Sequence, residues 1–196
     1  MLKLAVLLSG SGRTLDNFHE CSEKGSLRAQ VEVVVSNVAD ALGLEKARKY
    51  GYPSFFATDN ATINGILSEY SVDIVCLAGY LKLFVPKKAF ERRVINIHPS
   101  LIPAFCGKGF YGHHVHSAVQ KRGCTVTGCT VHFANGDYDE GPIILQRCLE
   151  LDYEDDPETI AAKVFAVECQ AFPDALNMVE ERGVDFFWQR FEQNAF

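Results

Sequence analysis

Lys3-Leu4-Ala5-Val6-Leu7-Leu8-Ser9 runs straight into Gly10-Ser11-Gly12-Arg13-Thr14, and this junction decides what fold the chain adopts. An unbroken apolar run is what a strand covered on both faces requires; a half-exposed strand would alternate. The glycines permit a sharp turn. Behind it, Leu15, Phe18 and Cys21 recur on one side, which predicts a helix with that face turned inward. Strand, glycine-rich turn and helix together aim backbone N–H groups and a positive helix end at an anion. The Arg13 side chain and the hydroxyls of Ser11 and Thr14 add donors. The third glycine of a dinucleotide fingerprint is Leu15 here, so a single phosphate is the better expectation. A tight turn with no ligand is the plainer reading of the same residues.

The alternation continues outward from this unit. Residues 30–37 (QVEVVVSN) read as a second buried strand, 39–50 as an amphipathic helix closed by Gly51, and 53–56 as a short third strand. Asn60 is placed to cap a helix carrying Ile63, Ile66 and Leu67, and 72–79 (VDIVCLAG) is a fourth strand. Residues 124–134 and 142–151 read as two more strands. Asp156-Pro157-Glu158 opens a long last helix, with Ile160, Val164, Val167 and Phe172 as its inner stripe. Glu168 and Gln170 sit within that stretch as cleft candidates, and Pro173 is expected to kink the helix rather than end it. The fold expected is α/β: a doubly wound, mostly parallel sheet with helices on both faces and an antiparallel C-terminal strand portion. The aromatic tail, 184–196, is not placed by its sequence.

Val94-Ile95-Asn96-Ile97-His98 forms the next strand, stopped by Pro99, which cannot donate to a sheet ladder. Alternation puts Asn96 and His98 on one face and Ile95 and Ile97 on the other. An amide and an imidazole at a strand's carboxyl end stand where open α/β sheets bind ligands. Asn offers a neutral donor for a developing oxyanion, and His a proton near neutral pH. A buried pair that only bonds backbone accounts for the same residues equally well. A carboxylate such as Asp139, in the loop 135–141, would raise the imidazole's pKa and orient it. An acidic loop by itself is more often simply solvated.

The apolar stretch Tyr80, Leu81, Lys82, Leu83 and Phe84 leaves the fourth strand beside this point. It is suited to a flat heterocycle, or equally to core with a snorkelling lysine. Residues 104–112 hold three glycines in six positions and read as a loop. His113, His114 and His116 follow, but no cysteine or carboxylate accompanies them at ligand spacing, so no metal is expected. His116 remains a weaker cleft candidate.

The chain of 196 residues, 47% hydrophobic and 22% charged, has ordinary globular composition. Its net charge of −6 argues against broad nucleic-acid binding but not against a small anion. No apolar run reaches the length of a membrane span, and the start reads directly as a strand rather than a cleavable signal. Seven cysteines (21, 76, 106, 124, 129, 148, 169) without C-x-x-C spacing fit reduced thiols in a cytoplasmic protein.

Several segments, in order, resemble one family closely. They are the S-G-S-G turn, S-N-x-x-D-A-x-G-L-E-x-A-R (36–48), L-A-G-Y (77–80), I-N-I-H-P-S-L-I-P (95–103), T-V-H-F (130–133) and D-E-G-P-I-I-L-Q (139–146). All look like the phosphoribosylglycinamide formyltransferases, which are folate-dependent formyltransferases of purine synthesis. The resemblance covers residues 3 to 182. It implies one formyltransferase domain over 1–196, with a phosphate-binding half (about 1–93) and a folate and catalytic half (about 94–196). The family's catalytic Asn, His and Asp match Asn96, His98 and Asp139. The resemblance assigns the acceptor phosphate to Gly10, Ser11, Gly12, Arg13 and Thr14, and the acceptor ribose to Glu168. It assigns the folate to Tyr80, Leu81, Lys82, Leu83 and Phe84 and to Asn135, Asp137, Tyr138 and Glu140. The co-substrate implied is 10-formyltetrahydrofolate, with no metal. The partners implied are small molecules, with no nucleic acid or membrane, and the resemblance is compatible with a homodimer.

Three departures leave the acceptor open. The turn continues Arg13-Thr14 where the family has Ser-Asn, residues 106–114 form a longer loop, and the C-terminal extension is short. An amino sugar nucleotide is therefore a rival acceptor. A non-catalytic binder of a phosphorylated ligand or folate is the rival from another class. The methionyl-tRNA enzyme and the formyltetrahydrofolate hydrolase fit less well, because each carries a further domain.

Overall fold

The computed structural model describes residues 1–194; Ala195 and Phe196, the end of the aromatic tail, lie outside the described residues. Strands β1 (Leu2–Leu8), β2 (Ala29–Ser36), β3 (Ser54–Phe56), β4 (Ile74–Leu77) and β5 (Val94–His98) come first. They alternate with helices α1 (Arg13–Glu23), α2 (Leu42–Lys49) and α3 (Asn60–Glu69). Between β4 and β5 a short 3-10 turn, Lys88–Phe90, stands in for a helix. Then follow α4 (His113–Arg122), β6 (Val126–Phe133), β7 (Ile143–Glu150), α5 (Pro157–Arg182) and α6 (Val184–Asn194). The sheet order is β3-β2-β1-β4-β5-β6-β7. The first five strands are parallel, and β6 and β7 pair antiparallel. This is the doubly wound sheet with an antiparallel end expected from the sequence.

The apolar run of β1 is unbroken because both faces are covered. Leu4, Val6 and Leu8 enter a larger core with α1, α2 and α5. Ala5 and Leu7 enter a smaller one with Ile63 and Leu67 of α3. All five are 0% exposed. Each of the Leu and Val side chains contributes roughly 1.5–3 kcal/mol by leaving water. The chain winds outward from β1 through β2 to β3, then returns to β4 on the other side. The strand order reverses between β1 and β4, which opens a crevice at their carboxyl ends. Ser9 N–H donates to the Gly79 carbonyl (3.1 Å), fixing the two strand exits side by side.

Element ends differ from the sequence reading in small ways. α2 starts at Leu42, three residues late, and β4 covers only four residues. Asp59, not Asn60, caps α3: its carboxylate accepts the Thr62 N–H (2.9 Å). Asn60 instead accepts the Val85 N–H (3.1 Å), anchoring the loop after β4. α5 runs on through Pro173, with Ile160, Val164 and Phe172 buried and Val167 partly so. Gln170 is exposed. The tail forms α6, whose Phe187 and Trp188 bury against Phe133, and the Trp188 indole N–H donates to the Arg92 carbonyl (3.1 Å). Among the described residues no helix is long and apolar enough to cross a membrane.

Candidate active site

A cleft of about 380 Å³ opens at the carboxyl ends of β1, β4 and β5. One end is the glycine turn. Gly12 caps α1 in the left-handed conformation (φ 71°), and no side chain satisfies the helix's first N–H groups. Gly10, Ser11, Gly12, Arg13 and Thr14 all line the cleft, so these donors and the helix dipole face it together. The turn is backed closely by α2: a Cβ on Gly12 would lie 2.7 Å from the Gly43 Cα. Asp16, in the first turn of α1, is held away by Lys46 (2.6 Å) and the Tyr50 hydroxyl (2.8 Å), so its charge does not oppose an anion.

On the facing wall, α5 presents Phe165 and Glu168. Burial pushes the Glu168 carboxyl up to about 7, although the nearby Arg13 guanidinium pulls the other way.

Asn96 and His98 stand between the two ends. His98 is 3% exposed, and its Nε2–H donates to the Phe105 carbonyl (2.9 Å). Its Nδ1 faces Asp139 Oδ2 at 3.5 Å. Burial lowers the His98 pKa below the ordinary imidazole value, and Asp139 and the Phe105 carbonyl only partly offset it. Burial pushes Asp139 up, but His132 and His98 in their protonated forms, together with the Gly107 N–H, hold its carboxyl below the usual range. The Gly107 N–H donates to Oδ2 at 2.8 Å. The backbone of Asp139 is left-handed (φ 62°), a conformation Asp tolerates better than most residues.

His132 is the residue the sequence reading gave no role. It pairs directly across from Asn96 in the antiparallel β5–β6 register. Its Nδ1 lies 2.9 Å from the Phe133 carbonyl, which only an N–H satisfies. In the neutral ring Nε2 therefore carries the lone pair and accepts from the Asn96 amide (3.2 Å); it also stands 3.5 Å from Asp139 Oδ1, with which it pairs only when protonated. The bond from the amide orients the Asn96 side chain and leaves its second N–H unclaimed. The signal was latent in the T-V-H-F segment, but it needed the strand pairing to acquire meaning. His116 also lines the cleft, 6% exposed, with a buried Nδ1 that has no hydrogen-bond partner.

The motifs meet through Thr130. Its hydroxyl donates to the Ser100 carbonyl (2.8 Å) and accepts from the Ile102 N–H (3.1 Å) and the Gln146 amide (3.0 Å). The segment after His98 is thereby pinned to β6 and β7.

Of the residues expected at a folate, Tyr80, Leu81, Lys82 and Tyr138 line the cleft. Leu81 (67% exposed) and Tyr138 (50%) form apolar lips. Phe84 instead packs in the smaller core. Leu83, Asn135, Asp137 and Glu140 are exposed and do not line the cleft. Among the described residues, no group of three or more His, Cys, Asp or Glu is arranged to hold a metal.

The formyl transferase family model matches residues 2–176. The chain is 40% identical to the chloroplastic phosphoribosylglycinamide formyltransferase of Vigna unguiculata, covering 99% of this chain and 68% of that one. It is 34% identical to the phosphoribosylglycinamide formyltransferase of Haemophilus influenzae, covering 88% and 84%. The crystal structure of glycinamide ribonucleotide transformylase 1 from Symbiobacterium toebii superposes with a TM-score of 0.83 at 37% identity, covering 90% of this chain and 86% of that one. The chain spans about two thirds of the length of its plant relatives.

Proposed function

This chain belongs to the formyl transferase family, and from that premise we propose that it transfers the formyl group of 10-formyltetrahydrofolate to the amine of glycinamide ribonucleotide. The observation that carries the reading is the convergence of two half-sites in one cleft: an uncapped helix start beside Arg13, and the Asn96–His98–Asp139 group. The cleft fits the folate donor on an independent ground. Its lips are exposed apolar side chains, suited to a flat heterocycle, and the donor supplies the formyl carbon.

The glycine turn and Arg13 hold the acceptor phosphate, and Glu168 accepts from the ribose hydroxyls. The free N–H of Asn96 stabilises the oxyanion that develops as the amine adds to the formyl carbon. Burial favours the neutral form of His98, with an Nδ1 lone pair facing a carboxylate. Gaining the amine's proton turns that opposition into an ion pair with Asp139, so His98 holds the proton for delivery to the leaving nitrogen. Seven unpaired thiols fit a reducing compartment such as the cytoplasm.

The test is a spectrophotometric formyl-transfer assay offering glycinamide ribonucleotide, amino sugar nucleotides or no acceptor. Turnover with the ribonucleotide, falling about 10²–10³-fold in kcat for Asn96→Ala, is expected. Turnover only with another amine would reject the acceptor assignment, and wild-type rates in both Asn96→Ala and His98→Ala would reject the mechanism.

A further inference from the structure

We infer that Phe165 on α5 is a positioning residue for the acceptor phosphate, holding the Arg13 guanidinium on its ring face; this rests on the reading of Arg13 as a phosphate ligand. The guanidinium carbon lies 4.0 Å from the centroid of the Phe165 ring, and both residues line the cleft. The face of the guanidinium is thus occupied while its N–H edge is not. Among the described residues no carboxylate or carbonyl takes any of the Arg13 N–H groups, and Arg13 itself is exposed. A cation with five donors, one stacked face and no protein acceptor is arranged for an external anion.

An unstacked arginine here would face two losses. It would surrender rotamer freedom only on binding, which weakens the complex. It would also be free to settle on Glu168, which stands one helical turn from Phe165 on the same wall. The stack orders the side chain beforehand, and among the described residues the guanidinium forms no ion pair with that carboxylate. Phe165 also walls a small crevice beside Asn17, whose Oδ1 is buried without a partner. A smaller side chain would open that crevice, so a bulk-preserving control is needed.

The experiment compares Phe165→Leu, Phe165→Tyr, Arg13→Ala and the Arg13→Ala/Phe165→Leu double variant. For each, the KM for glycinamide ribonucleotide, the KM for the folate donor and kcat are measured. Inorganic phosphate affinity is followed in parallel by calorimetry. Phe165→Leu should raise the acceptor KM and weaken phosphate about fivefold or more, with little change in kcat or in the folate KM. Phe165→Tyr should restore both values. The double variant should be no worse than Arg13→Ala alone, since the two side chains act as one unit. Equal constants for Leu, Tyr and wild type, or additive losses in the double variant, would overturn the inference. If the wild type fails to use the ribonucleotide but its phosphate affinity follows this pattern, the acceptor assignment falls and the positioning role stands.

Discussion

At the residue scale, the site works by placing ionisable groups where water cannot settle their charge. His98 is kept neutral by burial, the Gly107 N–H favours the charged form of Asp139, and His132 fixes which way Asn96 points. Glu168 gives the most direct test of this environment. Its carboxyl is pushed up to about 7 by burial, against an ordinary value of 4.5. Between those values the folded protein holds a proton that the unfolded chain has released. Stability is therefore lost as pH rises through that window. Glu168→Gln should be more stable than the wild type at about pH 8, by roughly 1–3 kcal/mol, and lose that advantage near pH 4. Urea unfolding at the two pH values measures it; parallel profiles would show that the carboxyl is hydrated instead. The same substitution should raise the acceptor KM. His98 has the opposite sign: its lowered pKa costs stability as pH falls below the ordinary imidazole value.

At the scale of elements, one close approach holds the loop that carries Asp139. Gly141 leaves no room for a side chain, because a Cβ there would lie 1.8 Å from the Phe133 carbonyl oxygen. It closes the loop that carries Asp139, next to the register shift between Val131 and His132. Gly141→Ala should therefore cost roughly 2–4 kcal/mol and disable formyl transfer, since relieving the clash must move β6 or the loop. Gly136→Ala, at φ 101° in the same loop but with open space around it, should cost about 1 kcal/mol and retain most activity. Thermal melts and kcat for the pair separate the two cases, and equal effects would mean the loop is not braced at Gly141. The Thr130 hydroxyl braces a different segment, the one after His98, which it joins to β6 and β7.

At the scale of the molecule, the two halves expected from the sequence share one sheet. β4 pairs with β5 across the division near residue 93, and the larger core takes side chains from both sides of it. We expect a single cooperative unfolding transition, with calorimetric and van't Hoff enthalpies equal; two separable transitions would show that the halves fold independently. The sequence by itself determined the order and type of the strands and of α1, α2, α3 and α5. Those depend on local periodicity, on turn residues and on the doubly covered run of β1, and each can be read within a few residues. It also determined which strand end carries Asn96 and His98, because alternation along one strand is local. Only the tertiary structure decided the role of His132, the burial of Phe84 and the placement of α6. It alone brought Arg13 onto Phe165, from residues 152 positions apart in the chain. Contacts of that kind follow from strand pairing and helix packing, which bring together residues that no local pattern connects.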